Sequence, residues 1–297
     1  MFNFLSKLSW KSWAAVLGII GAAAVFFWLN SWVPRIALFW LFGLGLGFVL
    51  QRSRFCWVSA VSNCFLFKDT RLLEGVMGGL FIATIGFAAY MYRLMPDPGP
   101  GILRYDVIVS PFGWHLLLGG AMFGFGMMLS GGCIVGNLYR IGEGAMSAVV
   151  AFAGILAGMG ILQFTWPWWW DNYIGKQSAL WLPVELGWVG ALALTLGIIS
   201  VLYVILRVVR GRSERTPSEQ CEKTPPWPAR IAGWARAVFK TAWPLAAGGV
   251  VLGLINVAMY WAVDHPWTVT GEIMSWSQGL FEILRIPPPP IGAVPGT

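Results

Sequence analysis

"MLSGGCIVGNLYRIGEGAM", from Met128 to Met146, separates two stretches apolar enough to cross a bilayer. A continuous span has no use for Ser-Gly-Gly-Cys followed by an Arg and a Glu, so the segment reads as a break between helices. Non-helical backbone at membrane depth is tolerated only where protein or a water-filled path shields it. An earlier stretch, "LQRSRFCWVSAVSNCFLFKDTRLLEG" from Leu50 to Gly75, has the same character. Laying one over the other, Gly47, Phe48, Ser53, Cys56 and Val58 meet Gly124, Phe125, Ser130, Cys133 and Val135 without a gap. After a longer insertion in the first copy, Arg71, Glu74, Gly75 and Met77 meet Arg140, Glu143, Gly144 and Met146. The chain therefore carries one unit twice: a helix, a Ser-x-x-Cys break, then Arg-x-x-Glu opening the next helix.

Composition sets the surroundings of that unit. Of 297 residues, 57% are hydrophobic and 11% charged, where a soluble domain carries roughly a quarter charged residues. This predicts an all-α, polytopic membrane protein. About seven transmembrane helices are expected, near 13–33, 35–50, 72–93, 111–129, 144–166, 182–206 and 241–263. The span at 35–50 is short for a full crossing. The apolar stretches after Cys56 and Cys133 are too brief to span and are expected to be re-entrant or broken short helices. No cleavable signal peptide is evident.

Residues 1–206 are expected to form a membrane half holding the two repeats, at about 36–93 and 111–166. Residues 207–240 carry eight of the chain's twenty Lys and Arg and read as a basic cytoplasmic linker. Cys221 lies in it as an exposed thiol, and Ile231–Phe239 could lie on the bilayer as an amphipathic stretch. With the N terminus inside, Arg52, Arg54, Lys68, Arg71 and Arg140 also fall on the inner side.

The breaks hold the candidate functional residues. The breaks at Ser53 and at Ser130, Gly131 and Gly132 expose the start of the helix that follows, whose unpaired N–H groups favour an anion, and broken helices form such sites in many transporters. Glu74 and Glu143 suit the positive end of a following helix. Arg71 and Arg140 either pair with those carboxylates or, with Arg54, draw an anion inward. Cys56 and Cys133 occupy the same place in the two copies, whereas Cys64 has no counterpart. Their thiols are open to three readings: small apolar packing, polarizable contacts for a soft sulfur atom, or thiolate nucleophiles. The four cysteines form no C-x-x-C pair and there are only two histidines, so zinc, haem and iron–sulfur sites are not expected, nor is any cofactor.

These two stretches resemble the YeeE/YedE family of sulfur-transport membrane proteins, which includes thiosulfate transporters. The resemblance covers most of residues 36–165 and resumes at "PWTVTGEIMSWSQGL", Pro266 to Leu280. It implies a bacterial inner-membrane transporter with pseudo-symmetric halves, so that residues 241–297 would open a second half that the chain does not complete. It also implies that cysteines at the breaks, here Cys56 and Cys133, pass intact thiosulfate along S–H···S contacts into the cytoplasm. Such a protein is a conduit and not an enzyme. Asn63 and Asn137 would add amide contacts to the path. The implied partners are the bilayer, a small sulfur-containing anion and a small cytoplasmic sulfur-carrier protein, with no nucleic acid. Three other readings remain open at this point: a membrane thiol–disulfide oxidoreductase using Cys56, Cys64 and Cys133, a carrier of selenium compounds, and a scaffold with no transported solute.

Overall fold

Each apolar run folds where a helix can satisfy its own backbone, which a lipid environment demands. In the computed structural model, residues 10–97, 99, 111–178, 180–213, 243 and 245–286 are described. The helices are α1 (Trp10–Trp32), α2 (Pro34–Ser53), α3 (Trp57–Phe67), α4 (Arg71–Leu94), α5 (Trp114–Ser130), α6 (Ile134–Gly142), α7 (Met146–Asn172), α8 (Leu182–Ser213), α9 (Leu245–Val263) and α10 (Val269–Ile283). No strand occurs among the described residues. Five segments are long and apolar enough to cross a membrane: Pro34–Leu66, Arg71–Leu94, Trp114–Gly142, Met146–Lys176 and Leu182–Val208. Val16–Trp32 and Ala247–Val263 are shorter apolar helices. The chain is thus an all-α, multi-pass membrane protein.

Several boundaries differ from the sequence reading. α2 starts at Pro34, whose fixed φ suits a first helical position, and runs for 20 residues. At 1.5 Å per residue it rises about 30 Å, enough for a full crossing, which corrects the short span expected at 35–50. α8 continues to Ser213, so the first residues of the expected linker are helical. Within α8, Gly187 takes φ 68° and bends the chain. Residues 214–242, with Cys221 and Ile231–Phe239, lie outside the described residues, as do residues 287–297.

Both repeats are recognisable as helix, break, short helix and long helix. In the first they are α2, α3 and α4; in the second α5, α6 and α7. α3 and α6 have 11 and 9 residues, too few to span.

α9 packs along α4 and α2, and glycines set how closely. A Cβ built on Gly253 would lie 2.6 Å from the carbonyl oxygen of Gly79, one on Gly79 would strike the Gly249 carbonyl, and one on Gly249 would strike that of Gly75. Gly75 and Gly79 on α4 thus face Gly249 and Gly253 on α9, a small-xxx-small pairing on both sides. Gly248, next along α9, lies against the Ser53 side chain at the end of α2. Further along, Leu46, Met259 and Val263 are buried together, with Phe39, Phe42 and Trp267 against them. At the far end, the Tyr90 hydroxyl donates to the Asp264 carboxylate and Arg35 donates to the Val263 carbonyl. α10 crosses α7, where Ser277 Oγ donates to the Leu156 carbonyl at 2.7 Å and Gln163 Nε2 to that of Met274 at 3.2 Å.

The α4–α9 crossing yields a stability prediction. Gly79→Val places side-chain atoms against the backbone of α9, and overpacking of this kind costs about 1–3 kcal/mol. Its expected readout is a lowered thermal midpoint of the detergent-solubilised protein. Gly43→Ala, whose Cβ meets nothing within 4 Å, should leave the midpoint unchanged or slightly raised.

Candidate substrate path at the paired helix breaks

Both breaks are built by the same backbone device. α2 ends because Arg54 adopts the left-handed conformation (φ 47°), and its N–H turns back to the Leu50 carbonyl. α5 ends because Gly131 does the same (φ 67°), with its N–H on the Met128 carbonyl at 3.3 Å. Such a residue closes a helix and satisfies one of its orphan carbonyls. Glycine adopts it without penalty, whereas Arg54 pays the Cβ cost. Two residues later, in extended backbone, comes the cysteine. Cys56 is the N-cap of α3 and Cys133 the N-cap of α6. The Cys133 sulfur accepts from the Gly136 N–H at 3.3 Å, in the manner of a serine cap.

The fold brings these two cysteines together. Cys56 Sγ and Cys133 Sγ lie 3.7 Å apart across 77 residues of sequence. Cys56 is buried, Cys133 partly so, and both are free. Gly136 makes the approach possible, since a Cβ there would sit 2.8 Å from the Cys56 sulfur and 3.4 Å from that of Cys133. This residue escaped the reading of the sequence. Its only signal was its place three residues after a capping cysteine.

The remaining candidates divide into neighbours of the break and residues that brace it. Ser130 Oγ donates to the Gly132 carbonyl at 2.6 Å, and Ser53 Oγ to that of Val49 at 2.7 Å. Asn137 is fully buried; its Nδ2 reaches the Gly132 carbonyl at 3.4 Å, and its Oδ1 has no partner. Arg140 reaches back along α6 to donate to the Gly131 carbonyl at 2.9 Å. Gly131, Gly132, Ser130, Asn137 and Arg140 thus surround Cys133. Asn63 and Cys64 lie on α3 and are partly exposed. The backbone carbonyl of Asn63 accepts from the Asp69 N–H and closes that helix. Arg54 is exposed.

The Arg-x-x-Glu motif plays different parts in the two copies. Arg71 opens α4, with its N–H on the Asp69 carboxylate at 3.0 Å and its guanidinium 4.0 Å from it. Glu74, in the first turn, is buried; it accepts from Thr70 Oγ1 at 2.8 Å and pairs with Arg207 of α8 at 3.5 Å. Arg207 and Thr70 were not among the expected residues. In the second copy Arg140 lies in the last turn of α6, and Glu143 is its C-cap. α7 begins only at Met146, so Arg140 and Glu143 close the short helix rather than open the long one.

Two crevices flank the second break. One, of about 570 Å³, lies between α2 and α6, with Gly47, Gln51, Tyr139, Glu143 and Trp267 in its wall. The other, of about 680 Å³, lies between α5 and α7 and reaches Ser130 and Gly132. A third, between α4 and α8 and faced by Trp181 and Trp188, holds no cysteine or charged side chain. No group of three or more metal-ligating side chains occurs among the described residues.

Twin helix–break–helix units, joined at facing thiols within a bundle of apolar helices, define a class: polytopic membrane proteins with paired broken helices. The sequence matches the family described as "Sulphur transport" over residues 52–287, and the chain belongs to that YeeE/YedE family. It is 26% identical over 202 residues to the "Probable transporter YedE" of Escherichia coli K12, covering 64% of this chain and 46% of the relative. It is 25% identical over 224 residues to the "Thiosulfate transporter TsuA" of the same organism, covering 72% and 56%. To the "Thiosulfate transporter TsuA" of Spirochaeta thermophila it is 33% identical over 144 residues, covering 46% and 39%. The chain spans about half the length of the curated relatives it matches.

The contact of the thiols across Gly136 can be tested without any substrate. A trivalent arsenical, which bridges two close sulfurs, is expected to bind the native protein tightly. Gly136→Ala forces the sulfurs apart and should weaken that binding, while single alkylation by N-ethylmaleimide persists. Equal arsenical binding by both proteins would show that Gly136 does not set the spacing.

Proposed function

We propose that this protein conducts thiosulfate, or a related sulfur-containing anion, across the membrane into the cytoplasm, past the facing thiols of Cys56 and Cys133. The observation that carries the reading is the 3.7 Å contact between two cysteines supplied by separate repeats. Two free cysteines have no need to meet if each is only packing. Relatives named as thiosulfate transporters support the substrate class.

The chemistry of the break suits such a solute. Thiosulfate carries a soft terminal sulfur beside hard sulfonate oxygens. Neutral S–H groups offer weak donors to the soft end without repelling the dianion. The N-terminal N–H groups of α6 and the guanidinium of Arg140, beside Gly131, serve the oxygens. Oδ1 of Asn137, buried and unpartnered, calls for a donor such as a water that travels with the anion. In this reading Glu74, held by Thr70 and Arg207, braces the start of α4 and does not touch the solute. Residues 241–297 belong to the same reading as the opening of a second half, and a small sulfur-carrier protein would take up the solute inside.

Labelled-thiosulfate uptake into cells lacking their own transporters tests this. Uptake is measured with this chain and with a version extended by a second half, and Cys133→Ala and Cys56→Ala should abolish it at equal membrane abundance. Arg140→Gln should raise KM more than it lowers the maximal rate, since its charge attracts the anion. Uptake of selenium compounds but not thiosulfate would overturn the assignment of substrate. Undiminished thiosulfate uptake by both cysteine variants would overturn the path.

A further inference from the structure

We propose that Cys56 and Cys133 are also a redox site: a dithiol that closes reversibly into a disulfide and thereby shuts the path. The shutting rests on the path proposed above; the closure itself does not.

Geometry favours closure at this pair. The free sulfurs are 3.7 Å apart, against about 2.05 Å in a disulfide, so each must move by roughly 0.8 Å. Each cysteine is an N-cap in extended backbone, at φ −142° and φ −74°. A capping side chain can turn without breaking a helical hydrogen bond. For Cys133 the cost is the single cap bond from the Gly136 N–H. Gly136 places no Cβ between the sulfurs. Cys64 makes no sulfur contact among the described residues, so among them the bridge has one partner choice.

The reaction balances with a small-molecule disulfide as oxidant. One cysteine sulfur attacks that disulfide, forming a mixed disulfide and releasing one small thiol. The second cysteine then attacks the first cysteine's sulfur and releases the other small thiol. Two electrons pass to the oxidant, and the two thiol protons leave on the released thiols. A dithiol reductant reverses both steps. Closure removes both S–H donors, so a passing anion loses its contacts.

The full-length protein in liposomes, treated with dithiodipyridine and then with dithiothreitol, decides the matter. We expect the intact mass to fall by two hydrogens, with one digest peptide joining Cys56 to Cys133. Thiosulfate uptake should drop with the same dose dependence, and dithiothreitol should restore both. Stable pyridyl adducts on both cysteines, with no linked peptide, would overturn the redox site. A linked peptide with unchanged uptake would overturn the shutting of the path. If the reduced protein takes up no thiosulfate, the transport reading fails alone, and the peptide map still decides whether the pair is a redox site.

Discussion

The geometry around the cysteines depends on how closely α9 approaches α2 and α4. With no side chain at Gly248, Gly249 or Gly253, α9 lies against the end of one helix and the start of the other. Ser53 is the last residue of α2 and Gly75 lies in the second turn of α4, so α9 holds both sides of the first break at once. In lipid, where apolar burial gives no net drive, such backbone proximity and its dispersion contacts are what bind helices together. A side chain on α9 at these positions would part α2 from α4 and move Cys56 relative to Cys133.

The class of fold and the place of the breaks were readable because they rest on local signals. Apolar run length marks the helices, and a Ser-x-x-Cys repeat marks where they stop. The meeting of Cys56 with Cys133 was not readable in that way, although their equivalent positions hinted at it. Contact between repeats is a matter of tertiary packing, and no local pattern encodes it. The same holds for the ion pair of Glu74, whose partner Arg207 lies on α8. The glycines of α9 were visible in the sequence, but nothing there said that α4 would present Gly75 and Gly79 to them.

The Arg-x-x-Glu motif shows how a shared pattern can be put to different use. The first copy has a longer segment between its cysteine and its arginine, so Arg71 and Glu74 fall beyond α3 and begin α4. In the second, the shorter spacing draws Arg140 into α6 itself, and its side chain returns to the Gly131 carbonyl. One copy binds its break to a neighbouring helix through Glu74 and Arg207; the other clamps its break from within. The two halves of the candidate path are therefore alike in backbone and unlike in charge. Arg140 stands beside the cysteine that is less buried, and the first copy places an ion pair, Glu74 with Arg207, in the corresponding motif.

The contact between Gly248 and Ser53 also bears on how the protein is made. α2 and α4 leave the ribosome long before α9, so the first break enters the membrane without the helix that holds it. Until α9 is inserted, Ser53 at the end of α2 and Gly75 in α4 lack the helix that packs against both. The close packing at the end of α2 is thus a late product of assembly, formed only after insertion of a helix distant in sequence from the first break.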